Sequence, residues 1–318
     1  MSSEQTAIYY GEFISNKYEV ILWTLITIGI LVFVLRRGLN KGIEVANKIM
    51  MPSLFFVLII LIIRALTLPG ISEGLKFYLK PDITKFTWEG ALAAIGQTFF
   101  AIGVAMAAGL VYGSYLPRGS KHVVSNAGII AVSSTLIAFM AGLIIFPSVF
   151  AFSLDPAAGP GLTFITMPNV FNQMPAGNLF GTLFYILFFL AALTSFIGAY
   201  EAIIAWLRDQ YRIPRERGVW ITASGILGIA LISASSTKFF DLADYVANNI
   251  FLILGALLMA IFVGWVWRIP NFAKEAGIKS EKAFGIWSFL IKYLAPIVII
   301  ITWLTQLGII NKIRNLLE

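Results

Sequence analysis

The chain has 318 residues, of which 59% are apolar and only 12% charged, with a net charge of +7 and a mean hydropathy of +0.87. A soluble domain of this size carries about 25% charged residues, so this is the composition of a membrane protein. The absence of cysteine excludes disulfides, thiolate metal sites and cysteine nucleophiles.

The opening MSSEQTAIYYGEF has no basic region followed by an apolar core and is not a signal peptide. Residues 1–19 read as an outer amino-terminal segment and residues 20–318 as one transmembrane domain. Charges cluster between long uncharged runs, such as Gly90–Pro117, Val123–Leu154 and Pro156–Tyr200. About 20 apolar residues are needed to span. Eight spans are expected, at Val20–Leu35, Ile49–Leu68, Gly90–Leu116, Val123–Phe152, Gly177–Leu207, Val219–Ser235, Leu242–Trp267 and Phe284–Ile309. Arg64 lies near a span end, where its side chain snorkels; Lys292 lies deeper and has no assigned role. His122, the single histidine, lies in a polar loop and also receives none.

The third span is weakened at its middle. In GQTFFAIGVAMAAGLVYGSY, Gly103, Gly109 and Gly113 cost helix stability relative to Ala and permit close backbone approach. A membrane helix that opens at its midpoint bares peptide groups, tolerated only where they are buried in protein or line a cavity. A plain helix packed through small residues fits the same pattern.

Every second loop is basic. The loops near 36–49, 117–122, 208–218 and 268–283 hold fourteen of the 23 Lys and Arg. The positive-inside rule makes that side cytoplasmic and puts both termini outside. The net charge is thus a topology signal and not a sign of a nucleic-acid partner. The segment 153–176 is apolar but broken by Pro156, Pro160, Pro168 and Pro175. It is expected to form short helices folded over the outer mouth.

In the fifth span, Ala191, Thr194 and Ser195 are spaced i, i+3, i+4 and share a face. Two hydroxyls beside a carbonyl suit a small hard cation such as sodium, although membrane helices also bond such hydroxyls to their own i−4 carbonyls. Among the acids, Glu201 lies inside the membrane and is expected to be buried and partnered. Asp209 and Asp244 lie near span ends, where solvation serves equally well. No HExxH, GxSxG or GxxxxGK[ST] motif occurs, so enzymatic readings find no site.

Several strings agree, in order, with one family. NKIMMPSLFFVLIILIIRAL, GQTFFAIGVAMAAGLVYGSYL, AGLIIFPSVFAFSLDPAAGPGLTFITMPNVFNQMP, FFLAALTSFIGAYEAIIAWL and FDLADYVANNIFLILGALLMAIFVGW resemble the neurotransmitter:sodium symporters, in their bacterial and archaeal amino-acid transporter branch. The resemblance implies an all-α polytopic fold. The eight spans look like helices four to eleven of the leucine-transporter inverted repeat, the third of them broken. Family helices one to three find no counterpart before Ile21. This implies either a fragment unable to transport or one part of a split transporter, as alternatives to a working symporter.

The resemblance also implies roles. Ala191, Thr194 and Ser195 match the second sodium site. Ala101 and Ser134 match a first sodium site that has lost side-chain oxygens. Phe100, Ala101, Gly103, Met106, Ser195 and Ala199 match substrate-pocket positions. Gln97 and Asp244 match the outer gate, and Tyr115 and Asp209 the inner gate, with both acids orphaned of their family arginines. Ala105 and Ala107 stand where the family has glycine, which is expected to favour a continuous helix by roughly 1 kcal/mol each. The implied activity is sodium-coupled symport of amino acids or related zwitterions across the cell membrane. Sodium is the coupling ion, and no other cofactor is implied. The implied partners are the lipid bilayer, a small-molecule substrate and either a separate chain supplying helices one to three or a second copy. No nucleic acid is among them.

Overall fold

The computed structural model describes residues 3–68, 71–103, 107–116, 123–152, 161–267 and 280–306. These are helical almost throughout, and among them no strand occurs. Seven stretches are long and apolar enough to cross a membrane: Lys17–Arg36, Leu39–Ala65, Val123–Ala151, Gly177–Tyr211, Arg215–Ser235, Thr237–Val266 and Glu281–Thr305. The expected third span makes the eighth, split into two helices. The chain divides into two compact units, residues 1–81 with 136–237 and residues 82–135 with 238–318.

The first unit contains α1 (Ser3–Ser15), α2 (Lys17–Arg36), α3 (Glu44–Ala65), α4 (Ile71–Leu79), the second half of α7 (Val123–Ala151), α8 (Met167–Gln173), α9 (Gly177–Tyr211) and α10 (Arg215–Ser235). Asn16 caps α2 by accepting from the Glu19 amide at 3.5 Å. Buried positions recur at helical spacing: Ile28, Leu31, Val32 and Leu35 on α2, and Leu193, Ile197, Tyr200 and Ile204 on α9. With Val219 and Ala223 of α10 they form one core. On α3, Met50, Leu54, Leu58, Leu61 and Ala65 form one buried stripe. Its outer half meets Ile144, Met167, Val170, Phe171 and Phe184 in a second core.

That second core accounts for the proline-broken segment. Residues 153–160 lie outside the described residues. The remainder makes a π-turn at Leu162–Thr166 followed by α8, with Met167 and Val170 fully buried. The amino-terminal segment is itself a helix packed against it. The Thr6 hydroxyl donates to Asn169 Oδ1 at 3.0 Å, and the Tyr10 and Phe164 rings stack at 5.3 Å. Arg64 does more than reach for water. It donates to Thr67 Oγ1 at 3.0 Å and to the Pro175 carbonyl at 3.4 Å, and lies over the Phe180 ring. The helix α4, which hydropathy alone does not reveal, docks on α7 through close approaches. A Cβ on Gly74 would lie 2.7 Å from the Phe146 carbonyl oxygen, and one on Gly142 would lie 2.3 Å from the Tyr78 ring.

The second unit contains α5 (Trp88–Ile102), α6 (Ala108–Ser114), the first half of α7, α11 (Thr237–Val246), α12 (Leu252–Ile261), α13 (Glu281–Phe289) and α14 (Ala295–Gln306). Its two long spans are interrupted by π-turns at Ala247–Phe251, Phe262–Val266 and Leu290–Leu294. Lys292 belongs to the last of these. Its stem packs 3.3 Å from where a Gly264 Cβ would stand, and its ammonium lies 5.8 Å from the Trp265 ring centroid.

The expected break in the third span lies between α5 and α6, with Ala105 outside the described residues, and it stands although alanine at 107 favours a continuous helix. Gly103 adopts φ +66 and Ala107 φ +56, both left-handed. For Ala that conformation costs roughly 1–2 kcal/mol, comparable with what helix propensity alone favours.

Candidate functional site

On α9 the predicted oxygens converge. The Thr194 hydroxyl donates to the Ala191 carbonyl at 2.8 Å, and the Ser195 hydroxyl donates to the same carbonyl at 3.2 Å. Single i−4 bonds of this kind recur elsewhere, as at Thr24, Thr98 and Thr135. The difference at Ala191 is that two hydroxyls meet one carbonyl. Each commits its proton there and keeps lone pairs for a further partner. Thr194 is half-buried, whereas Ser195 and Ala199, one turn on, are exposed on the first unit. The cluster is therefore an open oxygen-rich face.

In the second unit a cavity of about 380 Å³ is lined by Gly96 and Gln97 of α5, Asn248 and Asn249 of the π-turn before α12, and Thr302 of α14. The Asn248 amide donates to Asp244 Oδ1 at 2.8 Å. Of the two residues expected at the outer gate, Gln97 lines this cavity, whereas Asp244 does not and is the acceptor for Asn248 of its lining. Trp303 Nε1 donates to the Asn249 carbonyl at 2.8 Å and braces the turn. Thr302 is 3% exposed and its hydroxyl has no hydrogen-bond partner among the described residues. Sequence reasoning missed Asn248, Asn249 and Thr302, although two adjacent asparagines inside an apolar span were a visible signal.

The remaining predicted residues are not brought together in this way. Ala101 sits exposed on the last turn of α5, and Ser134 is half-buried on α7. Gly103 forms the left-handed end of α5. Met106 and the Phe100 side chain lie outside what is described. Tyr115, half-buried, ends α6 in the second unit, whereas Asp209 belongs to the first. Both acids have local partners: Asp209 accepts from Arg208 Nε at 3.0 Å and Asp244 from the Asn248 amide. Glu201 is fully buried, and both its oxygens accept from Arg215 at 2.7 Å.

Comparison with known proteins agrees with this architecture. The Sodium:neurotransmitter symporter family matches residues 11–314. A sodium-dependent transporter of Haemophilus influenzae is 36% identical, over 94% of this chain and 68% of its own length. The sodium-dependent transporter YhdH of Bacillus subtilis is 33% identical, over 98% of this chain and 72% of its own. Among solved structures, MhsT in complex with L-phenylalanine superposes with a TM-score of 0.83 at 32% identity, covering 94% of this chain and 70% of that one. Multi-pass helices, a broken span and these sodium-dependent relatives lead to one conclusion: the chain belongs to the sodium:neurotransmitter symporter family, a family of membrane transporters.

Proposed function

We propose that this protein carries amino acids, or small zwitterions like them, together with sodium by alternating access. The observation that carries the reading is the convergence of the Thr194 and Ser195 hydroxyls on the Ala191 carbonyl. Three oxygens within one helical turn suit a hard monovalent cation, which needs oxygen ligands, and the family is sodium-dependent. The helix break supports the same reading from the other unit. Ending α5 at Ile102 leaves carbonyls of its last turn without intrahelical partners, at a depth where such groups persist only beside protein or a cavity. The amino-acid class rests on the likeness to MhsT, whose structure contains L-phenylalanine. Apolar and small residues at Ala101, Gly103, Met106 and Ala199 agree with an uncharged side-chain pocket.

The test is uptake of radiolabelled L-phenylalanine and a panel of other amino acids by proteoliposomes of the full chain, driven by a sodium or a choline gradient. Sodium-driven uptake is expected, and Thr194→Ala with Ser195→Ala should abolish the sodium dependence. Undiminished sodium-driven uptake by the double variant would overturn the ligand assignment. Sodium-independent or absent uptake of the whole panel by a folded sample would overturn the function.

A further inference from the structure

The two transport-related sites leave one deep cleft of the first unit unused. It lies between α2 and α10, has a volume of about 640 Å³, and opens along one side. Its shaft is walled by Leu25, Ile28, Val32 and Leu227, and small residues, Gly29 and Ala223, keep it deep. A Cβ placed on Gly29 would meet no heavy atom within 4 Å. At one end alone the lining turns cationic, with Arg36 and Arg37.

The mouth is built for an anion with an apolar tail. The Arg37 guanidinium lies 4.0 Å from the Phe33 ring centroid and makes no ion pair among the described residues. Arg36 lies over Trp220 at 5.7 Å and pairs with Glu216, their side chains 47% and 65% exposed. Two guanidinium groups against one carboxylate leave a positive surplus. The adjoining loops belong to the basic set that the positive-inside rule assigns to the cytoplasm, where the leaflet surface is negatively charged. Depth gives a second match. From Arg36 to Leu25 at 1.5 Å per residue is about 16 Å, and half of a 30 Å hydrocarbon core is about 15 Å. The shaft therefore runs from the headgroup boundary to the bilayer centre, the reach of one leaflet's acyl chain.

We propose that this cleft binds one anionic phospholipid of the inner leaflet, its phosphate on Arg36 and Arg37 and an acyl chain along the shaft. Glu216 competes with that phosphate for Arg36. The site thus gives the protein a preference for acidic lipid, separate from the transported solute.

The proposal is tested by native mass spectrometry of the detergent-purified full chain after exposure to vesicles of phosphatidylglycerol or of phosphatidylcholine. Selective retention of phosphatidylglycerol is expected. Arg36→Gln with Arg37→Gln should lower that retention by about 25-fold, taking each surface arginine at its usual worth for an anionic leaflet. The double Lys variant should keep most of it. Glu216→Gln, which removes the competitor, should raise retention, and Gly29→Phe, which fills the shaft, should abolish it.

Equal retention of the two lipids by the wild-type chain would overturn the proposal, a result that does not depend on any variant folding. So would unchanged retention in the double Gln variant. Displacement by inorganic phosphate with no effect of Gly29→Phe would mean an ion site and no lipid site. A lipid-free dimer that Gly29→Phe dissociates would mean that a second copy covers the cleft, which equally overturns it.

Discussion

Glu201 is the residue whose environment decides most. Its side chain is 1% exposed, and it meets Arg215, 24% exposed, through two parallel hydrogen bonds. A planar guanidinium satisfies a carboxylate in this way and an ammonium does not. Arg215 also donates from Nε to the Leu35 carbonyl at 3.1 Å, near the end of α2. One side chain therefore ties α2, α9 and α10 together at their basic ends. Removing one partner of a buried pair strands the other charge and typically costs about 3–5 kcal/mol. Arg215→Ala should lower the thermal midpoint of the detergent-solubilised protein sharply, and Arg215→Lys should recover only part of the loss. By contrast, Lys48→Ala breaks only the exposed pair with Glu44 and should move the midpoint little, since such pairs contribute about 0–1 kcal/mol. Equal shifts for Arg215→Ala and Lys48→Ala would count against a structural role for the buried pair. The sequence already required a partner for Glu201, because an unpaired carboxylate at that depth is too costly. It did not name Arg215, because that contact depends on the chain reversing at Arg212, which takes a left-handed φ of +55 that no residue type in the turn announces.

At the scale of the element, the informative feature is the gap between α5 and α6. Ala107 holds φ +56 as the residue before α6, and Gly103 holds φ +66 after α5. The two should answer opposite substitutions. Gly103→Ala adds a Cβ to a left-handed residue and is expected to cost about 1–2 kcal/mol. Ala107→Gly removes one and should stabilise by about 1 kcal/mol. Thermal midpoints of the two variants should therefore move in opposite directions, and a shared direction would mean that the break is not held in this geometry. The comparison also shows what pattern reading captures. Apolar length located all the spans, and the glycine-rich middle of the third located its break. The reason given for that break was incomplete, because Gly109 and Gly113 face open space within their unit and the backbone reversal falls on Gly103 and Ala107 instead. The π-turns were invisible in advance, since one extra residue in a helical turn leaves hydropathy unchanged. Helix α4 escaped notice because nine residues are too few to read as a span. Its docking rests on Gly74 and Gly142, whose pairing only the fold reveals.

For the molecule as a whole, the distribution of Lys and Arg makes a claim that packing cannot, namely which end of every helix faces the cytoplasm. The two units bury their own cores and could be inserted either way up as far as apolar area is concerned. The choice falls to charge, because cationic loops resist translocation. The basic set includes Arg36, Arg37, Arg212, Arg215 and Arg217, which stand at the adjoining ends of α2, α9 and α10. Lys85 lies in the alternate loop, on the short turn Ile83–Lys85 before α5. Because the chain has no cysteine, single thiols can report on this directly. Lys85→Cys and Arg217→Cys both replace exposed residues, and neither removes a buried contact. In intact cells a membrane-impermeant maleimide should label the first and spare the second, which should react only after permeabilisation. The reverse pattern would invert the orientation, move Arg36 and Arg37 to the outer leaflet, and remove the electrostatic reason for an inner-leaflet lipid between α2 and α10. Labelling of both in intact cells would contradict the number of crossings, because Lys85 and Arg217 are separated by the broken span, α7 and α9, an odd number of passages.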